Sequence, residues 1–293
     1  MNTTDEFWEI DGVSLHREGW NVISLEGRLN TPPMRGDDQT HAQVPGEQWM
    51  PKQIGSRNLT LGMWMIGVNN DTGYSVDQRR QWNDNYRFLS RLFWQPDREF
   101  IITRRWLLTD NNGIVGIQVH RALGQLAAPL APAMTGRTRG VMTVDIKLAH
   151  PFFYGDEEVH TIARDTPTVV HNPGDYSAAW KHLYMHLVGP LKNPRLANTT
   201  PNPDVWFKYN ATLVTGQAVT LDIDRFIARS DSVLFTYPEN NLDLTPNNKG
   251  VLVSHGGAYP WMGLQRGDNN LILTTDSGTD SGHVEIRFRP PYL

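Results

Sequence analysis

Apolar positions recur along this chain mostly at a period of two, with one stretch at a helical period. In Val141 to Leu148 the alternation is strict: Met142, Val144, Ile146 and Leu148 fall on one face, Thr143, Asp145 and Lys147 on the other. Such a segment is a strand with one buried face. Leu59 to Gly67 reads the same way, with its odd positions toward a core, and Trp20 to Gly27 alternates apolar with polar. Phe7 to Val13 is a strand broken by a turn at Asp11-Gly12. Two further strands between Phe100 and Val119 flank Asp110-Asn111-Asn112-Gly113, residues suited to a type I′ hairpin. The helical period occurs at Trp82, Tyr86, Leu89 and Phe93, spaced i, i+4, i+7 and i+11. Ser75 with Gln78 supplies a capping box and Pro96 a stop, so the spacing predicts one helix over about 75–95. Its other face carries Arg79, Arg80, Asn83, Asp84, Arg87 and Arg91, which suits a solvated face with an intrahelical ion pair or a basic contact surface for a neighbouring subunit.

Elsewhere the period is interrupted. Asn30 to Ile54 holds Pro32-Pro33, Gly36-Asp37-Asp38, Pro45-Gly46 and Pro51 without periodic apolar positions, and it is too long for an ordinary connection. A partner-ordered or functional loop is the expectation there. Ala127 to Arg139, small and proline-containing, also reads as a loop. The acidic, polar stretch Asp156 to Pro167 is the best candidate boundary, giving units of 1–158 and 159–293. Beyond it, short apolar runs alternate with turns: Asn172-Pro173-Gly174-Asp175, Val188-Gly189-Pro190, Asn193-Pro194, Leu213-Val214-Thr215-Gly216 and the run from Leu264 to Leu271. Short strands at this spacing predict a β-sandwich.

Composition supports a mostly β chain and removes several chemistries. The 293 residues are 39% hydrophobic and 20% charged, with 25 Gly and 19 Pro, which is globular and rich in turns. A net charge of −4 gives no global field to hold a nucleic acid or an anionic membrane. The absence of cysteine excludes disulfides, thiolate metal sites and cysteine nucleophiles. The first residues lack the basic start and apolar run of a signal peptide, and no apolar run approaches the ~20 residues of a membrane span. A soluble chain made in the cytoplasm is the expectation.

Candidate chemistry falls at four places in the sequence. His150, His160, His171, His182 and His186 cluster in sequence, and His182 with His186 has the spacing of a helical metal pair. The segment reads as a strand, however, which sets the two roughly 13 Å apart. Asp222 and Asp224 share a strand face about 7 Å apart, near a glycosidase separation, although a solvent-facing strand edge explains them as well. Arg35-Gly36-Asp37 spells an adhesion tripeptide in a loop. Trp180, Trp206, Tyr209, Tyr259 and Trp261 suit either a sugar-stacking platform or a core. No phosphate loop, Gly-x-Ser-x-Gly elbow or His-Glu-x-x-His motif occurs. Catalytic, metal and cofactor residues are therefore all expected to be none.

In its ordered phrases the sequence resembles the distal tail protein family of long, non-contractile-tailed bacteriophages. Gly55-Ser56-Arg57-Asn58-Leu59-Thr60-Leu61, the helix through Trp82 to Phe93, and the Val141 to Tyr154 segment with its Pro151-Phe152 turn are similar to that family's first domain. Val170 to Asp175, Val188 to Pro194, Val219 to Asp224 and Leu264 to Leu271 follow in the order of its galectin-like domain. The resemblance implies an N-terminal sandwich- or barrel-like ring domain carrying one helix, followed by a galectin-like, jelly-roll sandwich. It also implies a hexameric ring at the tail tip, contacts to the tail tube protein and a tail-tip hub protein, and neighbouring tape measure and receptor-binding proteins. The sugar-reading residues of galectins are only echoed, at His171-Asn172-Pro173 and Asn193-Pro194-Arg195. The reading from a different class is a carbohydrate-binding module or a glycoside-processing protein.

Overall fold

The computed structural model describes residues 6–27, 32–35, 39–40, 47–48, 53–110, 113–176, 182–201, 204–222, 227–231, 253–256 and 263–293. The chain forms two compact units, residues 1–154 with Leu293, and 155–292. Antiparallel strands dominate both, and one α-helix occurs among the described residues.

In the first unit the strands are β1 (Glu6–Ile10), β2 (Val13–Ser14), β3 (His16–Arg17), β4 (Trp20–Glu26), β5 (Met34–Arg35), β6 (Gln39–Thr40), β7 (Glu47–Gln48), β8 (Gln53–Ile54) and β9 (Arg57–Ile66). Helix α1 (Gln78–Phe93) precedes β10 (Phe100–Asp110), β11 (Gly113–Leu126), β12 (Ala131–Met134), β13 (Arg139–Leu148) and β14 (Phe153–Tyr154). One side is ordered β2-β1-β10-β11 and the other β13-β9-β4-β3, with β12 also on β13. They join where Gln125 and Leu126 at the end of β11 pair with Lys147 and Ile146. Between them lies a shared core of Trp8, Ile10, Phe100, Ile102, Leu61, Met63, Val144 and Ile146, onto which α1 lays Trp82, Leu89, Leu92 and Phe93. Each fully buried side chain of this size contributes roughly 1.5–3 kcal/mol by leaving water.

The strict alternation of β13 is realised: Met142, Val144, Ile146 and Leu148 are at most 2% exposed. In β9 the odd positions Leu59, Leu61, Met63 and Met65 are buried likewise. The turn at Asp11-Gly12 has both residues at positive φ, +48° and +79°, which is why a glycine is useful there. Alternation fails in β4, where the register against β9 shifts between Val22 and Ser24. The extra residue, Ile23, points outward and is 51% exposed, while Leu25 packs against the core. A bulge of this kind resets the phase of the strand by one residue.

Three local expectations are corrected. The helix starts later than Ser75: Asp77 is its N-cap, accepting the Arg80 amide at 3.0 Å. Asp is as good a cap as Ser, so the capping-box pattern alone could not choose between them. Ala127 to Arg139 is not wholly loop, because β12 within it pairs with β13 through Ala131↔Thr143 to Met134↔Gly140. The Asn30 to Ile54 stretch carries two short ladders, Met34–Arg35 with Gln53–Ile54 and Gln39–Thr40 with Glu47–Gln48. Pairing without apolar alternation leaves no period in the sequence to read.

The second unit comprises β15 (Glu158–Ala163), β16 (Thr168–Asn172), β17 (Tyr184–Val188), β18 (Leu191–Lys192), β19 (Arg195–Asn198), β20 (Val205–Tyr209), β21 (Thr212–Leu213), β22 (Ala218–Asp222), β23 (Ile227–Asp231), β24 (Val253–Gly256), β25 (Gly267–Thr274), β26 (His283–Phe288) and β27 (Pro291–Tyr292). Two five-stranded sheets, ordered β15-β26-β17-β22-β23 and β16-β25-β19-β20-β24, form a β-sandwich. Their inner faces meet in a core that includes Met185, Leu187, Leu221 and Ile286 from the first sheet and Leu196, Phe207, Leu271 and Leu273 from the second. Much of the acidic stretch Asp156 to Pro167 belongs to this sandwich, as β15 along β26. Ile162 there is fully buried.

Candidate interaction surfaces

Helix α1 owes its seat to one polar side chain that the apolar stripe does not reveal. Asn85 is 3% exposed, and its Nδ2 donates to the Ile66 and Val68 carbonyl oxygens at 2.9 and 3.0 Å. Its Oδ1 accepts from Gln81 Nε2 at 3.0 Å. These bonds satisfy backbone carbonyl groups at and just beyond the end of β9. Gly67 makes the close approach possible, since a Cβ there would run into the Gln78 carbonyl oxygen.

Seated this way, α1 presents Arg80, Asp84, Arg87 and Arg91 outward at helical spacing, with Arg79 and Asn83 beside them. Asp77, Arg79, Arg80, Asn83, Asp84 and Arg87 line a shallow, open depression. Arg80 lies 4.0 Å from Asp84, both well exposed, an i,i+4 pair that contributes little in water. Arg79, Arg87 and Arg91 have no ion-pair partner among the described residues. Apolar groups stand at both ends of this basic stripe. Tyr74 and Val76, before the first turn, are 69% and 91% exposed, and Trp94, after the last, is 70% exposed. Phe88, on the flank, stacks on Trp20 with ring centroids 5.4 Å apart and keeps 44% of its surface open. An exposed Trp next to several Arg has the composition of an interface centre.

The histidines do not converge. His160, on β15, lies 3.2 Å from Glu158 and stacks on Phe288, whereas His171, on β16 of the other sheet, pairs with Asp268 at 2.6 Å. His186 is buried on β17 with Nδ1 3.0 Å from Thr220 Oγ1. His182 lies before that strand, at φ +69°, so it does not share a strand with His186 as its spacing suggested. His150 lies between β13 and β14. Among the described residues no group of three or more His, Asp or Glu is arranged to hold a metal.

Asp222 departs from the solvent-facing edge expected of it. It is 3% exposed, and β22 runs between β17 and β23 in the interior of its sheet. Asp224 lies outside the described residues, as do Gly36 and Asp37 of the tripeptide, the turn residues Asn111 and Asn112, and Trp180, Tyr259 and Trp261. Of the described aromatics, Tyr209 is core at 1% exposure. Trp206 lies on the outer face of β20, with the Arg195 guanidinium 4.9 Å from its ring centre. Of the two described members of the aromatic set, one is therefore core and the other is covered by a cation on one side.

The sandwich also holds buried amides that sequence pattern did not mark. Asn172, Asn198 and Asn269 are fully buried. Asn269 Oδ1 accepts from Gln265 N at 2.8 Å and Asn198 Nδ2 at 2.9 Å, while its Nδ2 donates to Gln265 O and Gly267 O at 2.8 and 2.9 Å. Asn198 Nδ2 also donates to Gly263 O at 3.1 Å, and Asn172 Nδ2 to Tyr176 O at 3.0 Å. The network pins the irregular segment before β25 onto the sandwich, so its polar groups stabilise a loop and are not free for chemistry.

No protein-family model and no curated protein sequence matches the chain. Among solved structures, it matches the phage P2 baseplate in its activated conformation with Ca at 7% identity and a TM-score of 0.40, covering 98% of this chain and 99% of that one. It matches the crystal structure of the SPP1 Dit (gp 19.1) protein at 15% identity and a TM-score of 0.61, covering 97% of this chain and 98% of that one. That protein is described as a paradigm of the hub adsorption apparatus in phages that infect Gram-positive bacteria. Over nearly its whole length, the chain is similar in fold to SPP1 Dit.

Proposed function

We propose that this chain is a structural protein of the distal tip of a phage tail, assembling as a ring that joins the tail tube to the hub and receptor-binding apparatus. The observation that carries the reading is the coverage of the fold match: both units, in order, correspond to almost all of SPP1 Dit. In this reading the first unit, with boundaries near 1–158, forms a hexameric ring, and the second, near 159–293, is a galectin-like domain projecting outward. The tail tube protein lies on one side of the ring and the tip hub on the other, with the tape measure and receptor-binding proteins as further neighbours. Rigid β-units with broad outer surfaces suit such a scaffold, because a ring is built from large complementary contacts.

The test is location and stoichiometry together. Gold-labelled antibody against the chain is expected to decorate the tail end farthest from the capsid, and quantitative mass spectrometry of purified virions to give about six copies per tail. Virions that lack the chain, or label along the tube, would overturn the reading.

A further inference from the structure

We infer that the outward face of α1, with Trp94 and Val76 at its ends, is one half of a head-to-tail contact with a second copy of this chain. The inference rests on the ring reading above and assigns the surface that reading requires.

The argument begins with cost. Trp94 and Val76 hold large apolar areas in water although each adjoins a helix end where a polar residue would serve equally well. They stand about 24 Å apart along a 16-residue helix, a span fit for a protein surface and too long for a small ligand. Between them the stripe is basic. Residues Gln78–Phe93 carry four arginines against Asp84, a net charge of +3, beside the capping Asp77 carboxylate.

Charge then selects the occupant. Residues 1–154 hold 16 basic and 16 acidic residues, so with α1 at +3 the rest of that unit is −3. Residues 155–292 hold 11 basic and 15 acidic residues, a net −4. In sum, both the remainder of the first unit and the second unit of another copy are thus acidic, which favours their attraction to this stripe. A two-fold contact through the same face would set a stripe of net +3 against its own copy, and like charges facing each other are repelled. The complementary surface must therefore be a different one, which makes the contact heterologous. Repeated, such a contact closes a ring or grows a filament, never a simple two-fold dimer.

The experiment compares the full-length protein with Trp94→Ala, with the double charge reversal Arg87→Glu/Arg91→Glu, and with Arg266→Glu as an exposed control in the second unit. Light scattering over a concentration series measures assembly, and circular dichroism confirms that each variant is folded. The wild-type and R266E proteins are expected to assemble alike. W94A and R87E/R91E are expected to need at least about tenfold higher concentration, and 0.5 M salt to weaken wild-type assembly relative to 0.05 M. If the wild type forms rings and both variants form them equally well, the inference fails while the ring reading stands. A wild type that remains monomeric throughout overturns both. Two-fold dimers lost in R87E/R91E would overturn the head-to-tail geometry. Variants that ring normally but no longer incorporate into tails would overturn the second copy as occupant in favour of another tail protein.

Discussion

The two units bury comparable cores but finish their surfaces differently. Among the described residues, the first exposes large apolar side chains on several elements: Phe7 on β1, Ile23 on β4, Val76 and Trp94 beside α1, Ile117 on β11 and Met134 on β12. The second exposes few, Val159, Val169, Tyr176 and Val214, and spends its polar groups internally through Asn172, Asn198 and Asn269. A unit whose polar groups are satisfied within itself gains a fixed loop structure and has little surface seeking cover. A unit with uncovered apolar groups gains stability from whatever covers them. Among the described residues, the uncovered apolar surface is therefore concentrated in the first unit.

The sharpest way to break this contrast is to remove the amide at its centre. Asn269→Ala strips two acceptors and two donors of their partners at a fully buried position, and is expected to lower stability by about 3 kcal/mol. Urea titration of the full chain measures the loss. Hydrogen exchange should show it first at the Gln265 amide, whose hydrogen bond the Asn269 side chain accepts. A change below about 1 kcal/mol would mean that packing, not the buried amides, fixes the loop.

That network also marks where the sequence stopped being legible. Strands β9 and β13 were readable because each has one buried and one exposed face, which imposes a period of two. Helix α1 was readable through Trp82, Leu89 and Phe93. The mostly β class and the sandwich followed from turn chemistry at regular spacing. What escaped was structure whose cause is not periodic. Asn85 sits on the buried face of α1 at a position that hydropathy assigns to solvent, and only the carbonyl groups of Ile66 and Val68 explain it. Likewise, β12 and the ladders of β5 to β8 are held by backbone pairing with no apolar alternation. Asp222 looked like an edge residue because composition cannot reveal that β23 covers its strand. As for the interaction surface, the arginines of α1 were visible, but the isolation of Trp94 and Val76 in water depends on what does not pack against them.

A smaller effect probes how firmly the first unit holds its helix. Asp77→Ala removes the acceptor of the Arg80 amide and is expected to cost about 1 kcal/mol. Asp77→Ser should recover most of it, since either oxygen caps the turn. If assembly depends on the outward stripe of α1, Asp77→Ala should also weaken assembly modestly by fraying the turn that carries Arg79 and Arg80. Unchanged stability would show that Asn85 and the buried stripe alone fix the helix start.

The smallest expected effect lies in the pH dependence of the first unit, at His16 on β3. Burial lowers its pKa from the ordinary 6.5, opposed by the neighbouring Asn21 side chain and by the Glu6 carboxylate, so burial outweighs both. The ring stands edge-on to Phe7 at 5.8 Å. Because the folded state binds the proton less readily than the unfolded chain, this group leaves stability intact above pH 6.5 and reduces it as pH falls from there toward the folded value. His16→Gln should flatten that part of the stability profile, measured as the difference between wild-type and variant urea midpoints at pH 7.5 and 5.5. The second unit is the internal control, since replacing His16 should leave the protection of β17 and β22 equal in wild type and variant at each pH. An equal slope in both proteins would show that protonated His16 is accommodated by Glu6, and that the strand beside it yields to charge more easily than its burial implies.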